Sequence, residues 1–332
     1  MLVILGDIHF RDDKLWCIEV CKAFLNWFEN WDLNNENNTL LLVGDLVEKN
    51  LLTGFVADYL EKFWALSRFK AIYICVGNHD LKTVNDQPQL AYKFYQNKPN
   101  VFIYLEATEV IIEGKKVLFL PYYTDQNKYG YLMSDYYSNI STNPLFTNNY
   151  DLVIGHFSGT DAGFEGSTDV VKNLDKINTK KLCLGHIHIR DCNPSIYIGS
   201  VYAGKKGEND LTRAAWYLDG ETWKEQKLPV FNEFLMFSYP NDLPKSQALV
   251  PIYTVLNCGS ELVAKEKYGD IFIRRISADM TDTVNKTLAE FDEQFLSVKS
   301  MNKAELFDAF LKTREVPADV IAECKTALGI TA

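Results

Sequence analysis

Short apolar runs bounded by Gly, Asn or Asp recur along the first 229 residues, at 2–5, 39–43, 69–76, 101–104, 109–113, 116–121, 150–154, 181–184, 195–199, 214–218 and 223–228. They are rich in Val, Ile, Leu and Tyr and predict β-strands. The early runs alternate with helical patterns over 13–31 and 53–67, the signature of βαβ units, whereas the later runs follow one another closely, as in hairpins. A mixed sheet or a two-sheet core flanked by helices satisfies both halves. The helical pattern over 13–31 confines Glu19, Lys22, Asn26, Glu29 and Asn30 to one narrow stripe and leaves Trp16, Phe24, Trp27, Phe28 and Trp31 on the remainder. A helix on one sheet needs only about a 100° apolar stripe. The excess predicts either cover by the neighbouring helix 53–67 or a face, shared by these two helices, that makes a homodimer.

Beyond residue 230 the pattern changes to strands at 251–258 and 270–277 and helices at 260–267 and 281–297, a small α+β appendage. The tail reads as two short helices. Asn302 and Glu305 form a capping box ahead of Leu306, Phe307, Phe310 and Leu311. Pro317 opens the second helix and Gly329 stops it. The predicted division is therefore 1–229, 230–300 and 301–332.

Composition narrows the class. The chain has 332 residues, 47% of them hydrophobic, enough for a well-buried core. No apolar run approaches the roughly 18 residues of a spanning helix. The opening MLVILGDIHF lacks the basic start of a signal peptide and reads as a strand from residue 2. Seven scattered cysteines, with Cys75 and Cys183 inside apolar runs, fit a reducing compartment, which predicts the cytoplasm. The net charge of −10 argues against a bulk nucleic-acid binder.

The candidate chemistry lies at strand ends. LVIL is followed by Gly6-Asp7-Ile8-His9, TLLLV by Gly44-Asp45, AIYICV by Gly77-Asn78-His79-Asp80, YDLVI by Gly155-His156, and KLCL by Gly185-His186-Ile187-His188. All five histidines fall in these places. A single Gly-Asp after a strand is usually a turn, but five independent turns do not explain why histidine occurs nowhere else. Glycine permits a tight turn with positive φ and close backbone approach. The next side chain is then offered at the carboxyl end of the strand, where open α/β sheets place ligands. Residues i and i+2 of an extended chain share a face, so Asp7 and His9 can converge on one ion, and His186 and His188 can serve two neighbouring ions.

This ordered set, GDIH, GDLVEK, GNHD, GHFS and GHIH, resembles the calcineurin-like metallophosphoesterase superfamily. The resemblance implies the α/β (α+β) metallophosphoesterase fold, a two-sheet β-sandwich core flanked by helices. It implies two divalent metals, the first held by Asp7, His9, Asp45 and His188, the second by Asp45, Asn78, His156 and His186. His79 would stand near the leaving group, steadied by Asp80. Mixed carboxylate, amide and imidazole ligands suit Mn²⁺, Fe or Zn²⁺ better than Mg²⁺. Such a pair activates water and clamps a phosphate for in-line attack.

Within the superfamily, Val47-Glu48-Lys49 and Asp80 depart from the protein phosphatases, which carry Arg-Gly and Glu at those places. The full layout is similar to SbcD-type nuclease subunits, above all their shorter phage recombination relatives, although Val201 stands where those relatives carry Pro. That likeness implies Mn²⁺-dependent cleavage of DNA, a capping domain over 230–300 that positions DNA, and a helical tail, 302–329, that binds an SbcC-type coiled-coil ATPase. For a phage-encoded chain it implies the host cytoplasm. Lys205, Lys206 and Arg213 are the candidate DNA contacts, with Lys49 and Arg11 behind them. The alternatives are a small-molecule phosphodiesterase of the same superfamily and a metal-free scaffold; the scaffold is disfavoured because every ligand position is filled.

Overall fold

The computed structural model describes residues 1–49, 52–84, 87–122, 148–159, 170–171, 174, 177–190, 196–209 and 212–277. Among them, β1 (Leu2–Leu5), β2 (Thr39–Val43), β3 (Ala71–Cys75), β4 (Leu81–Val84), β5 (Gln87–Leu90) and β6 (Val101–Tyr104) are interleaved with α1 (Leu15–Glu29) and α2 (Gly54–Leu66). Then come β7 (Thr108–Ile112), β8 (Lys115–Leu120), β9 (Leu152–His156), β10 (Ser158–Gly159), β11 (Val170–Val171), β12 (Leu182–Gly185), β13 (Ala214–Asp219) and β14 (Thr222–Lys227). The last elements are β15 (Asn232–Ser238), β16 (Val250–Leu256), α3 (Glu261–Tyr268) and β17 (Phe272–Ser277).

Two sheets make the core. One has the order β14-β13-β1-β2-β3-β6 and the other β12-β9-β8-β7. Strands β1, β2, β3 and β6 run parallel, as do β8, β9 and β12, while β13, β14 and β7 are antiparallel additions. The alternation of side chains along each strand decides the packing. Leu2, Ile4, Leu41, Val43 and Cys75 turn toward Val117, Phe119, Leu152, Ile154 and Cys183 of the second sheet. Val3, Leu5, Leu40, Leu42, Ile72 and Ile74 turn the other way, toward α1 and α2. Strands buried on both faces explain why these runs are apolar without a polar alternation.

Helix α2 begins where the Thr53 hydroxyl accepts from the Val56 amide at 3.2 Å. The buried Asn34 side chain ties the helix pair together, donating to the carbonyls of Phe28 and Leu66. The apolar excess of α1 has an internal answer. Phe28 packs on Phe63 of α2 at 4.7 Å between ring centroids, Phe24 on Phe231 at 5.7 Å, and Trp16 on Phe234 at 5.2 Å. Phe231 and, within β15, Phe234 thus pack on this aromatic face from the same chain.

Strand β15 was not expected from the sequence, nor was the β4–β5 hairpin. The run expected at 195–199 is reduced, in its described part, to a single bridge between Tyr197 and Leu184. Two compact units emerge. The first comprises Met1–Phe237, Asp242–Thr254 and Tyr268–Arg275; the described part of the second is Ser238–Asn241, Val255–Lys267 and residues 276–277. The helix expected at 281–297 and the tail helices within 302–329 lie outside the described residues. No described helix is long and apolar enough to cross a membrane.

Candidate metal centre

The five glycine-terminated strands deliver their following residues to one place in the first unit, and the backbone there is unusual. Among the described non-glycine residues, six have positive φ, and four of them are Asp7 (48°), His9 (52°), Asp45 (46°) and His186 (78°). Left-handed conformation is costly for a side-chain-bearing residue and concentrates at functional sites. The sequence reading gave the positive φ to the glycines. Of the five, only Gly44 has it (φ 83°); after Gly6, Gly44 and Gly185 the ligand residue itself takes the strained conformation, whereas Asn78 and His156 do not. The glycines are needed chiefly for space. A Cβ on Gly77 would lie 2.2 Å from Asp45 Oδ1 and 2.4 Å from the Asp45 nitrogen; one on Gly185 would lie 2.2 Å from the Val43 carbonyl oxygen.

Asp7, His9, Asp45 and His188 present ligand atoms that all lie within 4.8 Å of one another. The facing Nε2 atoms of His9 and His188 are 2.9 Å apart. On the other side, Asn78 Oδ1 is 3.0 Å from both His156 Nε2 and His186 Nδ1. Asp45 stands between the two groups: its Oδ2 is 3.7 Å from His9 Nε2 and 3.1 Å from His156 Nε2, while Oδ1 accepts from the His79 amide at 2.8 Å. The two sets of four expected from the resemblance are therefore two spatial clusters sharing one carboxylate.

The residues fit divalent metals on their own chemistry. Asp7 is fully buried; Oδ1 accepts from the His186 amide at 2.9 Å, but Oδ2 has no hydrogen-bond partner among the described residues. Burial drives the Asp7 carboxyl above its ordinary range. A bare buried carboxylate oxygen is costly unless a charge compensates it. Burial opposes the charged form of His156, yet the Asp45 and Asp7 carboxylates outweigh it and hold a proton there. Nδ1 of that ring faces the Val43 carbonyl at 2.8 Å, so the second proton sits on Nε2, where a cation would replace it. When bound, divalent metals at such a site polarise a phosphoryl oxygen and lower the pKa of water.

Asp80 does not steady His79 as expected. The His79 ring is held by the main-chain carbonyl of Glu48, 2.5 Å from Nδ1. The buried Asp80 carboxylate accepts instead from the amides of Leu46 (2.9 Å), Val47 (3.2 Å) and Gly77 (2.9 Å). Asp80 thus braces the turns that carry Asp45 and Asn78 rather than the imidazole. Burial, reinforced by the Asp45 charge, raises its pKa to about 7.

Arg213 is also corrected. It is 4% exposed, and its guanidinium donates to the carbonyls of His188, Ser200 and Glu208 and to the Ser200 hydroxyl. A side chain so used holds the loop beside His188 and is not presented to a polyanion. Lys205 and Lys206 do border the site: together with Asp45, His79, His186 and His188 they line a cleft of about 370 Å³. Arg11 and Lys49 line a separate cavity of about 190 Å³, and Arg11 pairs with Asp13 at 2.7 Å.

Two carboxylates escaped the sequence reading. Glu48 Oε2 lies 3.0 Å from His9 Nδ1, and Glu208 Oε1 lies 3.2 Å from His188 Nδ1. Tyr202 also went unnoticed; its hydroxyl donates to the His9 carbonyl. An acidic residue three positions after Asp45 was a readable signal for Glu48. Glu208 had none, because its partner lies 20 residues earlier across a loop.

A two-sheet sandwich whose strand ends gather aspartates, an asparagine and histidines in two clusters around one shared carboxylate defines a metal-dependent phosphoester hydrolase. Residues 1–190 match the family model described as calcineurin-like phosphoesterase, and the chain belongs to that family. No curated protein matches it. Among solved structures, it is similar to a protein of unknown function from Aquifex aeolicus (18% identity, 46% of this chain and 76% of that one, TM-score 0.29). It is similar also to the phosphopantetheinyl hydrolase of Mycobacterium tuberculosis (14% identity, 68% of this chain and 87% of that one, TM-score 0.34).

Proposed function

We propose that this phosphoesterase is a Mn²⁺-dependent DNA exonuclease and endonuclease, the nuclease subunit of an SbcCD-like recombination and repair complex. The observation that carries the reading is the cleft over the clustered donors, whose rim includes Lys205 and Lys206. Lys205 is 74% exposed at its side chain, and its ammonium lies at the mouth of the site, 3.5 Å from the Glu208 carboxylate. Two cations beside the reacting centre suit a substrate with phosphates flanking the one attacked, and phosphate contacts of this kind dominate nucleic-acid affinity. In this reading Asp7, His9, Asp45 and His188 hold one metal, and Asp45, Asn78, His156 and His186 the other. With the Glu48 carbonyl accepting from Nδ1, the His79 ring offers Nε2 to the leaving oxygen.

The net charge of −10 remains opposed to a DNA grip by this chain alone. A coiled-coil ATPase bound through 302–329 would supply the missing basic surface, and a homodimer would bring two nuclease centres to one DNA end. The test is a cleavage assay with Mn²⁺ and DNA of defined ends, with and without an SbcC-type ATPase. Degradation that disappears in Asp45→Ala and His188→Ala, with the fold retained by circular dichroism, supports the reading. A metal-loaded preparation that is inert on every DNA yet hydrolyses bis(p-nitrophenyl) phosphate briskly overturns it.

A further inference from the structure

We infer that Glu48 and Glu208 are a matched pair of positioning residues that fix the ring tautomers of His9 and His188, and so set the affinity of the first metal site. The inference rests on the reading of Asp7, His9, Asp45 and His188 as metal ligands. The geometry is symmetrical. Each imidazole turns Nε2 inward, 2.9 Å from the other, and each has a carboxylate behind Nδ1, at 3.0 Å for His9 and 3.2 Å for His188. Neither contact is aligned as a full hydrogen bond, so the coupling is the attraction of a carboxylate for the N–H dipole at short range. A negative charge behind Nδ1 keeps the proton there and leaves the Nε2 lone pair for a cation. Both rings need this, because two Nε2 protons cannot share the space between them. Carboxylates behind metal-bound histidines raise ligand basicity and fix ring orientation, and losing one typically costs about 10- to 100-fold in metal affinity.

The two carboxylates differ in one respect that makes the inference testable. Glu48 uses a single oxygen: Oε2 is 3.0 Å from His9 Nδ1 and 3.4 Å from Arg11 Nη1. Glu208 uses both: Oε1 faces His188 and the Lys205 ammonium at 3.5 Å, while Oε2 accepts from the amides of Gly204 at 2.8 Å and Lys205 at 3.3 Å. A glutamine amide has one acceptor oxygen and one donor nitrogen. At position 48 that oxygen can serve both partners. At position 208 the amide nitrogen must face either the His188 N–H or the two backbone N–H groups, and donor meets donor. Glu208 therefore also links the metal ligand to the loop that carries Lys205 and Lys206.

The experiment is Mn²⁺ titration of the full-length protein, with free Mn²⁺ counted by its room-temperature electron paramagnetic resonance signal. The proteins are wild type, Glu48→Ala, Glu48→Gln, Glu208→Ala, Glu208→Gln and Asp45→Ala. The alanine variants at 48 and 208 should each weaken one Mn²⁺ site by about 10- to 100-fold and leave the other unchanged. Glu48→Gln should recover most of the affinity and Glu208→Gln should not. Wild-type affinity in both alanine variants, or equal behaviour of the two glutamine variants, overturns the inference. Melting of each variant in EDTA separates lost affinity from lost fold; should the Glu208 variants unfold, the Glu48 pair decides alone. A wild type that binds no Mn²⁺, or an Asp45→Ala that binds as well as wild type, defeats the underlying metal-site reading instead.

Discussion

Replacing Gly77 by alanine asks whether the glycines at the strand ends are required for space or for conformation. The φ of Gly77 is not positive, so a purely conformational requirement predicts that alanine is tolerated. The space is another matter. The added Cβ would lie 2.2 Å from Asp45 Oδ1, 2.4 Å from the Asp45 nitrogen and 2.8 Å from its Cγ. Rotating the Asp45 side chain cannot relieve the contact with its own main-chain nitrogen, so the turn after β2 must move. Overpacking of this kind costs about 1–3 kcal/mol. Displacing Asp45 also breaks its 2.8 Å bond with the His79 amide, about 1–3 kcal/mol more for a buried group left unpaired. The sum, about 2–6 kcal/mol, corresponds to a fall of roughly 4–24 °C in Tm for a domain of this size. Metal-dependent phosphodiesterase activity should fall with it, because Asp45 is the carboxylate common to both donor clusters. Gly54→Ala is the control: no atom lies within 4 Å of its added Cβ, and it should be neutral or slightly stabilising. The measurement is thermal denaturation by circular dichroism together with hydrolysis of bis(p-nitrophenyl) phosphate. A Gly77→Ala protein that melts within about 2 °C of wild type and keeps full activity refutes the reasoning.

Four other outcomes follow from the site. His79→Leu should retain wild-type metal content by mass spectrometry while losing about 10²- to 10⁴-fold in cleavage rate; loss of metal would show that the ring is a ligand instead. Arg213→Ala should destabilise the fold by about 2–4 kcal/mol, since it strips donors from several buried acceptors. Lys205→Ala and Lys206→Ala should leave Tm unchanged and each reduce the salt dependence of DNA binding by about one unit of slope, as read by fluorescence anisotropy across a salt series. EDTA should abolish hydrolysis and lower Tm, and Mn²⁺ at about 100 times its Kd should restore roughly 2.7 kcal/mol.

Much of the sandwich was legible because its strands are covered on both sides. Runs such as Leu2–Leu5 and Thr39–Val43 are apolar throughout and end where a glycine must let another strand's turn come close. The gathering of Asp7, His9, Asp45 and His188 was legible for a related reason: side chains placed just beyond parallel strands necessarily meet at one edge. What the sequence could not show is which distant group answers a given side chain. The aromatic excess of α1 is answered by Phe231 and Phe234, some 200 residues later. Arg213 reads as a surface cation until its four acceptors are seen around it. Asp80 reads as a partner for its neighbour His79, but backbone amides from another strand's turn reach it first.

The order of the donors along the chain has a bearing on how the protein is made. The first is residue 7 and the last residue 188, each contributed by the tip of a different strand or turn. A nascent chain that has emerged only as far as β8 holds Asp7, His9, Asp45 and Asn78 but none of the imidazoles that follow β9 and β12. Translation must pass the Gly-His-Ile-His segment before hydrolytic chemistry can begin, so any product terminated before it lacks a complete donor set.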